Sequence, residues 1–257
     1  MATPTYEILA LKYAGPLARP AAMVTWFSDL DKIAQINYYI FAIRGERETI
    51  VVDCGCTPKL AGERNLVGYV NPVDALQRIG IDAGKVKTVV ATHIHFDHIS
   101  GVSLFPRAKF YLQEKEYNFW MANPIAKRAP FLQVTDPVAN RYLARLKGTK
   151  RLQLVRGDKK IMPGIELLLA PGHTVGLQVI AVNTKKGIAI VGSDAAHMFS
   201  SFRTDIPSAI ITDMVAWMKT YDKIRAKASS LDLIFPGHDP ALSNAYPQIA
   251  EDVSQLV

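Results

Sequence analysis

The chain has 257 residues, of which 49% are hydrophobic and 21% charged, and its formal net charge is +7. This composition excludes a disordered chain, and no stretch approaches the roughly 18 consecutive apolar residues that span a bilayer. Because residues 1–15 also lack the basic start and apolar run of a secretion signal, we expect one soluble, cytoplasmic domain over residues 1–257.

The basic residues do not indicate a macromolecular partner. Lysine and arginine are densest from Lys127 to Arg156, where the chain lacks both a nucleic-acid motif and the interleaved aromatics of a single-strand binding surface. We expect a solvated helical face there, with no nucleic-acid or membrane partner.

Cys54 and Cys56 are too close in sequence for an ordinary disulfide, which fits a reducing compartment. Without a second thiol pair, we expect them to be small core residues.

The first part of the chain predicts strands that feed a sheet. Apolar residues alternate or cluster in strand fashion over residues 6–13, 36–43 and 49–53. Asp53 ends the third of these strands, and its carboxylate either caps a turn or lies near a metal site, since its position supports both. Residues 71–79 then predict a short amphipathic helix that ends at a glycine.

Four potential metal ligands fall within six residues: His93, His95, Asp97 and His98. Burying so many polar groups is costly unless something coordinates or hydrogen-bonds them, and a divalent cation does so. The group follows a short β-rich apolar run at 87–91, so we expect it at the carboxyl end of a buried strand. His93 and His95 can project one way from an extended loop while Asp97 and His98 point elsewhere, which favours two adjacent metal positions.

The next segment between two predicted strands is long. Residues 108–112 predict a strand, and we expect residues 113–150 to form a helical insertion near the active site, because long insertions between strands often cover such sites. The large apolar side chains of this insertion either line a pocket or belong to the core. They are Tyr117, Phe119, Trp120, Met121 and Phe131.

Three further potential ligands each follow a predicted strand. His173 and His238 both come directly after a Pro-Gly turn, the first beyond strand 165–169 and the second beyond strand 231–235. Asp194 follows a predicted hairpin over 179–191, and its two carboxylate oxygens are able to bridge two cations.

Two helices are predicted near the end of the chain. Apolar residues spaced three or four apart from Met214 to Ile224 predict a helix whose stripe is core rather than a cofactor contact. The tail over residues 246–257 is expected to form a covering helix.

The run HIHFDH at 93–98, followed in order by His173, Asp194 and His238, resembles the metallo-β-lactamase superfamily over essentially the whole chain. The resemblance implies an α/β fold, a four-layer αβ/βα sandwich with metals at the sheet edges between its two halves. It also implies two Zn²⁺ ions, or other divalent metals. His93, His95 and His173 would hold one ion, Asp97, His98 and His238 would hold the other, and Asp194 would bridge them.

Within the superfamily, the surroundings look most like the N-acyl homoserine lactonase branch. The motif HxHFDHxxG, the segment PGHTVGLQ at 171–178 and the GHD at 237–239 are similar to that branch. One position departs from it, because the branch typically has a tyrosine three residues after the bridging aspartate and this chain has His197. A histidine can donate a hydrogen bond or a proton near neutral pH, so His197 is either catalytic or a histidine that faces solvent or is satisfied in the core.

The resemblance implies a dinuclear-zinc hydrolase that opens a small cyclic ester, a lactone, by attack of a metal-bound hydroxide on the ring carbonyl, the chemistry of quorum quenching. Asp97 would orient the hydroxide and pass its proton to the leaving oxygen. The alternatives are hydrolysis of a cyclic amide, hydrolysis of a thioester as in glyoxalase II, and the chemistry of a mono-iron persulfide dioxygenase, against which complete ligands for a second metal argue. The expected partner is a small cyclic substrate, and a homodimer is left open.

Overall fold

Two β-sheets lie face to face in this computed structural model, which describes residues 3–28, 30–46 and 48–257. The strands are β1 (Glu7–Pro20), β2 (Ile33–Arg44), β3 (Thr49–Val52), β4 (Thr88–Val90), β5 (Lys109–Gln113), β6 (Leu152–Val155), β7 (Lys159–Met162), β8 (Ile165–Leu169), β9 (Gln178–Thr184), β10 (Gly187–Gly192), β11 (Ile234–Pro236), β12 (Gln248–Ala250) and β13 (Val253–Gln255). Among the described residues, the first sheet has eight strands in the order β12-β13-β1-β2-β3-β4-β5-β6, and the second has five in the order β11-β10-β9-β8-β7.

The helices connect these strands, and some of them begin with a side-chain cap. They are α1 (Ala21–Val24), α2 (Pro58–Glu63), α3 (Pro72–Gln77), α4 (Phe96–Ile99), α5 (Glu114–Ala122), α6 (Ala129–Leu132), α7 (Pro137–Leu146), α8 (Ser193–Ala196), α9 (Ser201–Thr204), α10 (Met214–Lys227) and α11 (Ala241–Asn244). Short 3₁₀ turns lie at Ala83–Lys85, Ser100–Leu104, Pro124–Lys127 and Leu231–Leu233. The side chains of Asn71, Asp136 and Asp213 each accept a hydrogen bond from a backbone N–H in the first turn of the helix that follows.

Successive residues of β1 point to opposite faces of the first sheet, as the pleat of a strand requires. Ile8 and Ala10 belong to the core between the two sheets, whereas Leu9 and Leu11 belong to the core between the first sheet and its helices. A third core, around Trp217 of α10, lies on the outer face of the second sheet. Helices therefore cover both sheets, and the predicted four-layer α/β sandwich is confirmed.

The predicted ligands follow strand ends that the topology brings together. Strands β3 and β4 are parallel, and so are β10 and β11, so the carboxyl ends of each pair meet at one edge. Gln178 at the start of β9 joins the two halves, because its backbone N–H donates to the carbonyl of Thr92 at 3.0 Å and its side-chain amide donates to the carbonyl of Ala91 at 2.8 Å. The loops that carry the ligands are thereby held side by side.

The expected covering helix at the carboxyl terminus is wrong. Residues 246–257 form β12 and β13, and β13 pairs antiparallel with β1, with Leu11 opposite Val253 and Leu9 opposite Gln255. Asp252 adopts a positive φ of 56° in the turn between the two strands, which ends any helical path. The tail instead covers the edge of the first sheet, where β1 would otherwise leave unpaired backbone groups.

Other expectations are refined by the structure. The run 231–235 is a 3₁₀ turn followed by β11, and β7 was not predicted. Cys54 and Cys56 are buried, unpaired core residues, as expected. No helix among the described residues is long and apolar enough to cross a membrane.

Residues 113–150 carry α5, α6 and α7. Their aromatic side chains are core, because Tyr117 and Trp120 are buried and Phe119 and Phe131 pack against the same cluster. This segment contacts the loop over residues 92–98 that carries the first four predicted ligands, called the ligand loop below. The backbone N–H of Phe96 in that loop donates to the carbonyl of Val134 at 2.9 Å. That this segment is an insertion serving the active site of a single domain stays a prediction.

Candidate metal centre

All seven predicted ligands converge at the strand edge, and none is more than 7% exposed to solvent. They fall into two groups, and within each group the ligand atoms lie within 4.8 Å of one another. The first group contains His93, His95, His173 and Asp194, and the second contains Asp97, His98 and His238. These are the groupings that the resemblance implied for two metal positions.

Asp194 spans both groups with its two carboxylate oxygens. Oδ2 lies 3.1 Å from Nε2 of His173 and 3.9 Å from Nε2 of His93. Oδ1 lies 3.1 Å from Nε2 of both His98 and His238. Ligand atoms around a tetrahedral ion with bonds of about 2.0–2.1 Å are separated by about 3.3 Å, so these spacings suit shared coordination.

The outer ring nitrogens of three histidines are engaged by the protein, which orients the rings. Nδ1 of His98 donates to Oδ2 of Asp53 at 2.7 Å, and Nδ1 of His238 donates to the carbonyl of Asn37 at 2.8 Å. Nδ1 of His93 lies 3.0 Å from Oγ1 of Thr92, which itself donates to Asp53. Each Nε2 therefore points inward, and in a neutral ring it carries the lone pair that metal ligation requires.

Several buried atoms at the centre lack a hydrogen-bond partner among the described residues. They include Nε2 of His93, Nε2 of His98 and Oδ1 of Asp194. Nδ1 of His95 and Nε2 of His173 face each other at 2.9 Å. Since unpaired buried polar groups are costly and rarely tolerated, this donor set fits two divalent cations.

The electrostatics of the centre depend on burial and on its own carboxylates. Burial lowers the pKa of both His93 and His95 well below the usual value, so these rings are neutral donors of a lone pair. Burial also opposes charge on Asp97, but His98 and His238 outweigh it and lower the pKa of that carboxyl to about 2. Asp97 is therefore ionised at neutral pH.

Of the two roles expected for Asp53, capping a turn or lying near the metal site, the structure favours the second. The Asp53 carboxylate binds the ligand loop. Its Oδ1 accepts from the backbone N–H of Thr92 at 2.7 Å, and its Oδ2 accepts from the hydroxyl of the same residue at 2.9 Å. With the contact to His98, one carboxylate fixes both ends of the segment that carries the first four ligands.

Glu116 of α5 is a buried carboxylate that the sequence analysis missed. Its Oε1 accepts from the backbone N–H of Ile94 at 3.0 Å and from the indole N–H of Trp120 at 2.7 Å. Its Oε2 accepts from the hydroxyl of Thr174 and the backbone N–H of Gly176, both at 2.8 Å. Burial raises the pKa of Glu116, and these four hydrogen bonds lower it part of the way back. The side chain thus ties the His93–His95 loop to the turn that carries His173.

Glycines permit the two Pro-Gly-His turns to approach their neighbours. Gly172 has a φ of +143°, and a Cβ there would collide with Trp217. A Cβ on Gly237 would lie 2.7 Å from Oδ1 of Asp194. The turns can bring His173 and His238 to the centre only with glycine at these positions.

A pocket of about 520 Å³ opens onto the centre, and His95, Asp97, Asp194 and His238 form its floor. His197 also lines it, and this ring is only 6% exposed. Its Nδ1 has no hydrogen-bond partner among the described residues. Its backbone has a positive φ of 42°, which is uncommon for a residue with a side chain. Burial, aided by His238, lowers the pKa of His197 to about 3, so the ring is neutral near pH 7.

His197, at the position where the lactonase branch typically has a tyrosine, thus lies next to the predicted metal ligands. One of its ring nitrogens also falls within 4.8 Å of ligand atoms of Asp194 and His238. The solvent-facing alternative for His197 is wrong, because the ring is buried. A catalytic role for His197 stays a prediction, beside the alternative of a histidine held in the core.

Comparison with known proteins agrees with this fold. The family model of the metallo-beta-lactamase superfamily matches residues 33–238. An N-acyl homoserine lactonase of Bacillus cereus is 23% identical over 223 residues, which cover 80% of this chain and 83% of that protein. The N-acyl homoserine lactonase AiiB of Agrobacterium fabrum is 25% identical over 230 residues, 81% of each chain.

Solved structures show the same fold at low identity. An N-acyl homoserine lactone hydrolase with the product N-hexanoyl-L-homoserine bound at its catalytic metal centre superimposes with a TM-score of 0.78 at 18% identity, over 96% of this chain and 98% of the other. AidC, a dizinc quorum-quenching lactonase, gives a TM-score of 0.71 at 21% identity, over 93% and 90% of the two chains. With the family model spanning the ligand-bearing segment, this chain belongs to the metallo-β-lactamase superfamily.

Proposed function

We propose that this protein is a metal-dependent hydrolase that opens a small lactone ring, using two divalent cations, in the first instance zinc. The observation that carries the proposal is the division of the Asp194 oxygens between two clusters of buried ligands. The names of the lactonase relatives support the ester class of the substrate. When bound, two such cations would lower the pKa of a water molecule toward about 7 and polarise the ring carbonyl.

Asp97 is the residue that we assign to proton transfer. Its Oδ2 lies 3.3 Å from Nε2 of His98 and 3.5 Å from Nε2 of His238, so the carboxylate borders the second cluster. It also lines the floor of the pocket. An ionised carboxylate at that border is able to orient the attacking water, accept its proton and return the proton to the ring oxygen that leaves.

His197 is the residue that we assign to the substrate oxygen. A neutral imidazole cannot act as a cationic acid, but its N–H can donate a hydrogen bond to the carbonyl oxygen as negative charge develops there. The unpaired Nδ1 and the position on the pocket wall support this role.

His197→Phe is expected to lower kcat for lactone hydrolysis by about 100-fold with little change in KM, because the donor acts mainly on the developing charge. His197→Tyr should recover part of this loss, since a phenol also donates. Bound metal is to be measured in each variant. Wild-type kcat in His197→Phe would contradict the donor role, and loss of one metal equivalent would show that His197 is a ligand instead.

Asp53→Asn is expected to weaken metal binding by about 10- to 100-fold, because an amide cannot accept from both His98 and the Thr92 hydroxyl with the strength of a carboxylate. Competition with a chromogenic chelator measures the affinity. Asp232→Asn is a matched control, because the Asp232 side chain is 86% exposed and pairs with Arg203 at the surface. If Asp53→Asn binds metal as the wild type does, Asp53 does not position the ligands.

A substrate panel tests the proposed function as a whole. Chelator-stripped protein, refilled with zinc, is to be assayed with acyl homoserine lactones, aromatic lactones, cyclic amides and glutathione thioesters. We expect lactones to be hydrolysed with the highest kcat/KM. Faster turnover of the thioesters or the cyclic amides would replace the lactone proposal with the corresponding alternative.

A further inference from the structure

The lining of the pocket combines apolar residues with two arginines. The acidic residues that line the pocket, Asp97 and Asp194, both belong to the metal centre. The two positively charged side chains of the lining are Arg19 and Arg64. Its apolar part comprises Pro20, Met23, Val24, Ile36, Phe96, Val134 and Ile210. A volume of about 520 Å³ lies within the range of small-molecule sites.

Arg19 and Arg64 reach this pocket from separate elements. Arg19 is near the end of β1, and Arg64 directly follows α2. Both residues are half-buried. The guanidinium of Arg64 lies over the Phe96 ring, 4.6 Å from its centroid, which holds it against the ligand loop.

Neither arginine has a carboxylate partner in the part of the chain that the structure describes. Nη1 of Arg19 contacts the carbonyl of the preceding residue at 3.3 Å, and this group also interacts with the Tyr38 hydroxyl. Four of the other described arginines form ion pairs. Arg78, Arg156, Arg203 and Arg225 each lie within 3.2 Å of a carboxylate oxygen.

Two half-buried arginines that line one pocket, without acidic partners among the described residues, suit an anionic ligand. The planar donors of arginine match the paired oxygens of a carboxylate or a phosphate. The acidic groups of the floor would be neutralised by bound metal, so they would not repel such a ligand.

We infer that the substrate carries an anionic oxygen group, a carboxylate or a phosphate, beside its lactone ring, and that Arg19 and Arg64 bind this group while the ring lies over the metal centre. The inference rests on the proposed function and makes it more specific. An uncharged acyl lactone offers the two arginines no charge partner, so an anionic lactone is the better substrate.

A matched set of substrates tests this inference. One γ-lactone bearing a carboxylate substituent is to be compared with its methyl ester and with a phosphate-bearing analogue, using wild type, Arg19→Gln, Arg64→Gln and the double variant. We expect the wild type to prefer an anionic member by about 10-fold or more in kcat/KM, and each variant to lose most of that preference through KM. Whichever anion gives the higher kcat/KM identifies the group.

The control is Arg107→Gln, because Arg107 is exposed and lies outside the pocket lining. It should keep the wild-type preference. A wild type that hydrolyses the methyl ester as well as the anionic members, or arginine variants that keep the preference, would overturn the inference and leave lactone hydrolysis standing.

Binding separates failure of the inference from failure of the proposed function. Calorimetric titration with the ring-opened, anionic product is expected to show at least about 10-fold weaker binding to the double variant at equal metal content. If no lactone is hydrolysed but this difference is found, the lactonase proposal fails and the anion site stands. If lactones are hydrolysed but the product binds wild type and double variant equally, the anion site fails alone.

Discussion

Asp97→Asn is expected to lower lactone hydrolysis by about 1,000-fold or more at saturating zinc. The amide keeps an oxygen near His98 and His238, so the fold and much of the metal content should persist. It cannot accept a proton from the attacking water, however, and general acid–base assistance of this kind contributes about 10²- to 10⁴-fold. Steady-state kinetics, together with metal analysis of the same sample, measures the effect.

The control for this variant is Asp222→Asn. The Asp222 side chain is 76% exposed on α10 and pairs with Arg225 at the surface, so its loss should leave kcat/KM unchanged. His95→Ala is expected to be inactive as well, because it removes a ligand of the first cluster. If folded, metal-loaded Asp97→Asn turned over lactones at the wild-type rate, proton transfer by Asp97 would be refuted.

Glu116→Gln is expected to destabilise the protein by about 2–4 kcal/mol and to weaken zinc binding more than tenfold, although Glu116 is not a ligand. Each carboxylate oxygen accepts two hydrogen bonds, and every partner is a donor. Whichever way the amide of a glutamine turns, its NH₂ must face a backbone N–H, that of Ile94 or that of Gly176. The loops of His95 and His173 would then separate.

Thermal unfolding of the metal-free protein and zinc affinity are to be measured together for Glu116→Gln. Glu114→Gln is the matched control, because Glu114 lies two residues earlier on α5 and pairs with Arg156 at the surface. We expect the control to match the wild type in both measurements. Wild-type zinc affinity in a destabilised Glu116→Gln would show that Glu116 supports the fold without positioning the ligands.

The ligand set was predictable because its residues carry strong local signals. Three histidines and an aspartate within six residues are chemically unusual, and the Pro-Gly turns before His173 and His238 mark the ends of strands. The structure confirms that these segments meet. Their metal-binding roles remain proposals, as do the number and identity of the ions.

The roles of residues whose hydrogen-bond partners are distant in sequence were harder to predict. Asp53 could be placed at a strand end, but the partner that decides its role, His98, lies on another strand's loop. Glu116 gave no signal, because its partners include backbone groups 22 and 60 residues away. Those contacts exist only once the two sheets have packed.

Ile249, Val253 and Leu256 recur at helical spacing in the tail, yet the expected helix does not form. The same apolar side chains serve a hairpin once Asp252 turns the chain, and Val253 and Leu256 are then buried against β1 and its neighbours. Tertiary pairing outweighs a periodicity that is carried by only three residues.

Zinc titration of the chelator-stripped protein, with bound metal counted by mass spectrometry and lactone hydrolysis followed in parallel, tests the dinuclear centre most directly. We predict two equivalents of zinc per chain, with full activity reached only at the second, and no more than one tightly bound equivalent in Asp194→Asn. Saturation of the wild type at a single equivalent with full activity, or two tight equivalents in Asp194→Asn, would contradict a centre bridged by Asp194.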